Sequence, residues 1–228
     1  MIHCCIFDLD GVIVDTANYH YLAWKRLAVS LGLDFTEHDN ERLKGVSRVE
    51  SLKIVLEIGG ASLEESAFEK ALDDKNQWYL DYISRIGAEE ILPGAAGFLL
   101  AVRGRGIKTA LGSASKNAGL ILERIGLCDQ FDAVIDGNSV SNAKPDPEVF
   151  LKAADAVGCA PGECVVFEDA AAGVQAALNA GMLCIGIGSP AVLRDAHFVI
   201  PGFAGIHPDA LMDRIVSASG RILPPPTC

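Results

Sequence analysis

The sequence predicts an α/β fold in which helices wrap a mostly parallel sheet and an all-helical domain is inserted after the first strand. Three observations lead there. Short apolar, β-branched runs recur along the chain. Segments of helical period separate the later runs, which is the βαβ pattern of right-handed crossovers. Residues 15–85, between the first run and the second, are helical in period throughout,.

The strands are read at Ile2–Leu9, Ile107–Gly112, Ala133–Ile135, Cys164–Glu168, Leu183–Ile187 and Phe198–Ile200. Each is continuously apolar rather than alternating, as strands buried on both faces are. Every strand after the first is expected to follow a helix. Ala95–Arg103, Leu120–Ile125, Pro147–Val157 and Ala171–Ala180 supply these helices. The result is a Rossmann-like parallel sheet. In the long helical stretch, Trp24, Leu27, Leu31, Leu43, Leu52, Leu56, Leu72 and Tyr79 are candidate interior positions, and Gly32, Gly59 and Gly60 punctuate it,. So long an insert cannot be a simple crossover. It is expected to form a cap domain over residues 15–87, above the carboxyl ends of the strands where open α/β sheets bind ligands. Residues 1–14 and 88–228 then form the α/β core. The Pro224-Pro225-Pro226 tail cannot be helical and is expected to fray,.

Composition narrows the function. Half of the 228 residues are hydrophobic and 21% charged, which excludes a disordered chain,. Nineteen basic against thirty acidic residues leave a net charge of −11, so nucleic acid and anionic membrane are not expected partners,. A phosphate ligand would have to be met by a few placed cations, backbone amides or a metal. No apolar run reaches the ~18–20 residues of a membrane span. Asp8 and Asp10 interrupt the N-terminal apolar stretch, and an unprocessed cytoplasmic chain is expected,. The seven cysteines form no C-x-x-C pair and several lie in strand-like runs, as reduced packing residues do,.

Four short motifs fall at the carboxyl ends of successive strands. Asp8-Leu9-Asp10-Gly11 closes the first strand with two carboxylates at i and i+2,. Like charges there cost stability unless a cation such as Mg²⁺ neutralises them; the alternative is a pair of exposed turn-forming acids. Gly112-Ser113-Ala114-Ser115 follows the second strand and lets backbone approach an anion,. Lys144-Pro145-Asp146-Pro147 brings one cation to a helix N-terminus, and Glu168-Asp169 ends the Val165–Phe167 run,. Alone each has a bland reading; in this order they form one site.

That order resembles the haloacid dehalogenase superfamily of phosphotransferases across essentially the whole chain. The resemblance implies that Asp8 is the nucleophile, forming an aspartyl phosphate, and that Asp10 is the general acid and base. It implies that Ser113 donates to a phosphoryl oxygen and that Lys144 offsets repulsion at Asp8. It further implies Mg²⁺ on Asp8, the carbonyl of Asp10 and Asp169, with Glu168 alongside.

The insert refines the resemblance. Thr16, His20 and Trp24, then Lys44-Gly45-Val46-Ser47-Arg48 with Ser51, then Lys75-Asn76, are similar to segments of the β-phosphoglucomutases within that superfamily. So is Ser113-Ala114-Ser115-Lys116-Asn117. This implies interconversion of β-glucose 1-phosphate and glucose 6-phosphate through β-glucose 1,6-bisphosphate, which serves as activator and intermediate. A bisphosphate needs a second anion cradle one sugar away from Asp8. Arg48 and the Gly45–Ser47 backbone can supply it from the cap, with Ser115, Lys116 and Asn117 on the core side. The resemblance also implies that Thr16, His20 and Lys44 help move Asp10 as the cap closes. A lone His on a helix is more often a surface or core residue, and Trp24 could be plain core. Partners are small-molecule sugar phosphates, and a monomer is expected. The rival readings are a sugar-phosphate or phosphoglycolate phosphatase and a non-catalytic sugar-phosphate-binding module.

Overall fold

In the computed structural model, which describes residues 1–222, six strands form one parallel sheet. They are β1 (Cys4–Phe7), β2 (Lys108–Gly112), β3 (Ala133–Ile135), β4 (Cys164–Glu168), β5 (Leu183–Ile187) and β6 (Phe198–Ile200). Their order is β3-β2-β1-β4-β5-β6, so the chain winds one way from β1 and then the other. The carboxyl ends of β1 and its neighbours therefore open a crevice.

Both faces of the sheet are covered, which is why its strands read as unbroken apolar runs. Cys5 and Phe7 point to one face, against α5 (Ala95–Gly104), α6 (Ala118–Ile125) and α9 (Pro208–Ile222). There Phe7 stacks on Phe167 at 4.8 Å, and Phe98 and Phe203 close around them. Cys4 and Ile6 point the other way, to α7 (Glu148–Ala156) and α8 (Ala171–Asn179). Each such fully buried Phe or Ile contributes about 1.5–3 kcal/mol, so the β1–β4 pair is the sheet's rigid centre.

The insert holds α1 (Ala17–Ser30), α2 (Glu37–Asn40), α3 (Arg48–Ile58) and α4 (Glu65–Ile83). Trp24, Leu27, Phe35, Leu52 and Val55 form an apolar cluster of its own. Leu31 and Leu72, expected inside, are only partly buried. Thr36 and Asp39 make a capping box on α2, and the Ser47 hydroxyl accepts from the Glu50 amide to start α3, so Arg48 opens that helix,. The two segments joining the insert to the sheet lie side by side: Asp15 N donates to Glu90 O at 3.0 Å and Leu92 N to Ile13 O at 2.9 Å.

One expectation fails. No helix precedes β6; residues 188–197 run as turns, because Gly188 takes a positive φ of 123° and Pro190 follows it,. Leu193 anchors this connection in the core. The Pro224–Pro226 tail and Cys228 lie outside the described residues. Cys4, Cys5, Cys128, Cys159, Cys164 and Cys184 are free thiols. Among the described residues no helix is long and apolar enough to cross a membrane.

Candidate active site

The crevice gathers side chains from four separate segments. Asp8 and Asp10 follow β1, Ser113 follows β2, Glu168 and Asp169 end β4, and Lys144 comes from the loop before α7. Lys144 Nζ donates to Asp8 Oδ1 at 2.6 Å and to Glu168 Oε2 at 2.8 Å, with all three side chains buried. Burial alone would discharge this ammonium, but the two carboxylates outweigh it and hold Lys144 above the ordinary lysine range,.

One lysine does not balance three acids. Carboxylate oxygens of Asp8, Glu168 and Asp169 lie within 4.8 Å of one another. Burial pushes Glu168 up to about 7, with the charge of Asp8 adding to it and Lys144 opposing. Burial, Glu168 and Asp8 likewise raise Asp169. The cluster wants a second cation, and its all-oxygen donors suit a hard divalent ion. Two glycines keep the space open. A Cβ on Gly11, whose φ is +75°, would lie 2.1 Å from Asp169 Oδ2, and one on Gly173 would lie 2.1 Å from Glu168 Cδ. The residues present therefore fit such an ion.

Asp10 accepts a hydrogen bond from the Thr16 hydroxyl. Burial, then the charge of Asp8, pushes it up to about 7. Thr16 sits at the N-cap of α1, fully enclosed, and does not line the cavity. Its hydroxyl touches Asp10, the residue it is expected to help move. His20 Nδ1 lies 3.0 Å from Lys75 Nζ. While Lys75 is charged its ammonium can only donate, so Nδ1 then accepts and the imidazole carries its proton on Nε2. Burial, then Lys75, holds His20 well below its ordinary value. Lys75 is enclosed between the rings of Trp24 and Tyr79, at 4.7 and 4.6 Å, and burial pushes it down to about 7.

A cavity of about 790 Å³ separates these groups from the insert. Asp8, Asp10, Ser113, Lys144 and Asp169 form its floor, while Glu168 is buried behind them. His20, Trp24, Ser51 and Lys75 line the opposite wall, with Lys44, Gly45, Val46, Ser47 and Arg48 beside them. Lys44 pairs with Glu41 at 2.9 Å. Gly45, at φ +72°, packs so closely on Ala170 that a Cβ would sit 2.6 Å away, so this loop of the insert meets the segment just past β4. Arg48 is half-buried and makes no hydrogen bond or ion pair among the described residues; Asp73 is the carboxylate whose charge acts on it. Ala114, Ser115, Lys116 and Asn117 complete the rim. The Ser113 hydroxyl accepts from the Ser115 amide, and Asn117 Nδ2 donates to Asn76 Oδ1 at 3.1 Å, tying the start of α6 to α4.

Sequence reasoning missed Asn40, Glu69, Asp73, Ser141 and Asn142 on the cavity wall. None belongs to a motif, and only the tertiary fold collects them. Leu72, expected inside, faces the cavity, whereas Tyr79 is buried as expected and packs against His20.

Comparison with known proteins agrees with this geometry. A family model described as haloacid dehalogenase-like hydrolase matches residues 2–181. The chain is 42% identical over 197 residues to the β-phosphoglucomutase of Bacillus subtilis, covering 86% of this chain and 87% of that one. It is 32% identical over 179 residues to a phosphorylated carbohydrates phosphatase of Thermotoga maritima, covering 78% and 81%. Among solved structures, β-phosphoglucomutase from Clostridium difficile superposes with a TM-score of 0.90 at 39% identity, covering 97% of this chain and 98% of that one.

Proposed function

Because the chain belongs to the haloacid dehalogenase-like hydrolase family, we propose that it acts as a β-phosphoglucomutase, interconverting β-D-glucose 1-phosphate and D-glucose 6-phosphate through β-glucose 1,6-bisphosphate. One observation carries this reading beyond general phosphate chemistry. Arg48 is an unpaired, half-buried guanidinium in the same cavity as Asp8, at the start of α3 beside the Gly45–Ser47 backbone. A monoester phosphatase with a small substrate has no use for a second anion cradle. A bisphosphate has.

In this reading residues 15–87 are a cap domain closing on a core of residues 1–14 and 88–228. Asp8, the carbonyl of Asp10 and Asp169 would hold Mg²⁺, with Glu168 alongside. When bound, the ion supplies positive charge against the carboxylates and the transferring phosphoryl group. Starting from the bisphosphate, Asp8 forms a bond to the phosphorus on C1 as the bond from that phosphorus to the sugar oxygen breaks, and Asp10 gives the oxygen a proton as glucose 6-phosphate leaves. In the other half the Asp8–phosphorus bond breaks as the phosphoryl group passes to the 6-hydroxyl of an incoming β-glucose 1-phosphate, which re-forms the bisphosphate, and Asp10 takes the proton released. A carboxyl group near 7 can both hold and release a proton at neutral pH,. Lys144 and the Ser113 hydroxyl meet the charge on the phosphoryl oxygens. Arg48, the Gly45–Ser47 amides, Ser115, Lys116 and Asn117 hold the phosphate that is not reacting. Thr16, His20 and Lys44 position Asp10, and Trp24, Ser51, Lys75 and Ala114 shape the sugar site.

The test offers β- and α-glucose 1-phosphate separately, with catalytic bisphosphate and Mg²⁺, and follows glucose 6-phosphate and free phosphate. Glucose 6-phosphate from the β anomer alone is expected. Free phosphate as the main product would replace this reading with a sugar-phosphate phosphatase. In Arg48→Ala the isomerisation should fall about ten- to a hundredfold, the worth of a charge-assisted bidentate contact. Hydrolysis of acetyl phosphate, which has no distal phosphate, should barely change.

A further inference from the structure

Tyr79 is fully buried in α4, and its hydroxyl oxygen makes no hydrogen bond of ordinary geometry among the described residues. Its ring is well used: it packs on the His20 imidazole with centroids 4.0 Å apart, and the Lys75 ammonium lies over it. A phenylalanine would serve that packing equally well. The oxygen is what needs explaining, because an enclosed hydroxyl without a partner is costly and native interiors keep few.

The group beside it is the Thr16 hydroxyl. Thr16 has a single hydroxyl proton, and in this structure Asp10 receives it. Thr16 is itself completely enclosed, one helical turn before His20, so water cannot take over when Asp10 leaves. An acid–base group must leave: to reach a sugar oxygen, the Asp10 carboxylate has to turn from Thr16 into the cavity.

We propose that the Tyr79 hydroxyl is the alternative acceptor for the Thr16 proton, so that Thr16 donates to Asp10 while it is withdrawn and to Tyr79 while it is engaged with substrate. The exchange involves hydrogen bonds alone, and no proton changes its owner. With Tyr79 in place, turning Asp10 strands no buried donor, and the two positions stay close enough in energy for both to be visited in each cycle. Tyr79 is thus a positioning residue, acting on Asp10 through Thr16. This rests on the reading of Asp10 as the proton-transfer group.

The experiment is a double-mutant cycle on Tyr79→Phe and Thr16→Val, reading kcat and KM for β-glucose 1-phosphate isomerisation and for acetyl phosphate hydrolysis, with thermal unfolding alongside. Tyr79→Phe should lower kcat about tenfold with KM little changed. It should not lower the unfolding temperature, because it deletes an unpartnered oxygen. In the Thr16→Val background the same change should have no effect, since no proton remains to be received. In Thr16→Ser, which keeps the donor, the loss should return. Wild-type kcat in Tyr79→Phe, or an equal loss with and without the Thr16 hydroxyl, would overturn the proposal. If the wild-type protein makes no glucose 6-phosphate, the mutase reading fails by itself. The Thr16–Tyr79 coupling is still measured in the hydrolysis of acetyl phosphate, which also needs Asp10.

Discussion

Lys75 shows how a single side chain can record its surroundings in a titration. Two aromatic rings and a neutral imidazole surround its ammonium, and burial, with the Arg48 charge adding, brings it from an ordinary 10.5 to about 7. Between those values the unfolded chain keeps the proton that the folded chain sheds. The unfolded state then binds more protons, so this residue makes stability rise with pH from about 7 to 10.5,. Lys75→Met should remove that slope and gain on the order of 1–2 kcal/mol at pH 7. Urea unfolding of both proteins at pH 7 and 9.5 measures it; equal slopes would mean that the ammonium is paid for by contacts outside the two rings. Residues of this kind also mark where sequence reading stops. Asp8, Asp10, Lys144, Glu168 and Asp169 stand out because acids and a lysine at strand ends have no packing role. Tyr79 and Asn40 do not, because an aromatic or amide at an interior helical position looks like core until its polar atom is found without a partner.

At the scale of elements, α8 and β4 meet in a contest whose outcome can be forecast. Gly173 lies in α8 with ordinary helical backbone, so alanine there should favour the helix by about 1 kcal/mol,. A Cβ at that position, however, would lie 2.1 Å from Glu168 Cδ, and Glu168 is pinned by Lys144 and by the amides of Asp169 and Ala170. Displacing a buried, paired carboxylate costs several times more than the propensity gains. Gly173→Ala should therefore lower stability by roughly 2–4 kcal/mol and weaken Mg²⁺ binding, seen as a lower unfolding temperature and a higher Mg²⁺ requirement for activity. The strands were readable because burial on both faces erases alternation. The segment before β6 was not, since Gly188 and Pro190 replace an expected helix with turns that Leu193 anchors in the core.

Over the whole molecule, charge and connectivity set the behaviour. Asp8, Glu168 and Asp169 repel one another across the centre of the sheet, and Lys144 answers only part of that. Mg²⁺ at a hundred times its dissociation constant should stabilise the fold by about 2.7 kcal/mol, and a chelator should reverse this and abolish turnover. Calcium-free calorimetry with and without Mg²⁺ reads the first effect, and an unchanged unfolding temperature would count against a cation in the acidic cluster. The paired segments at 13–15 and 90–92 have a different consequence. Two tethers bonded side by side resist twisting but allow a swing about the line through them, as two pins guide a door. If the insert opens as the proposed cap would, the opening is then a one-parameter motion, and the gap between Arg48 and Asp8 changes along a single arc. A cavity that closes in that way is a caliper: it measures the length of what lies between its jaws, and a ligand too short to touch both ends leaves it ajar.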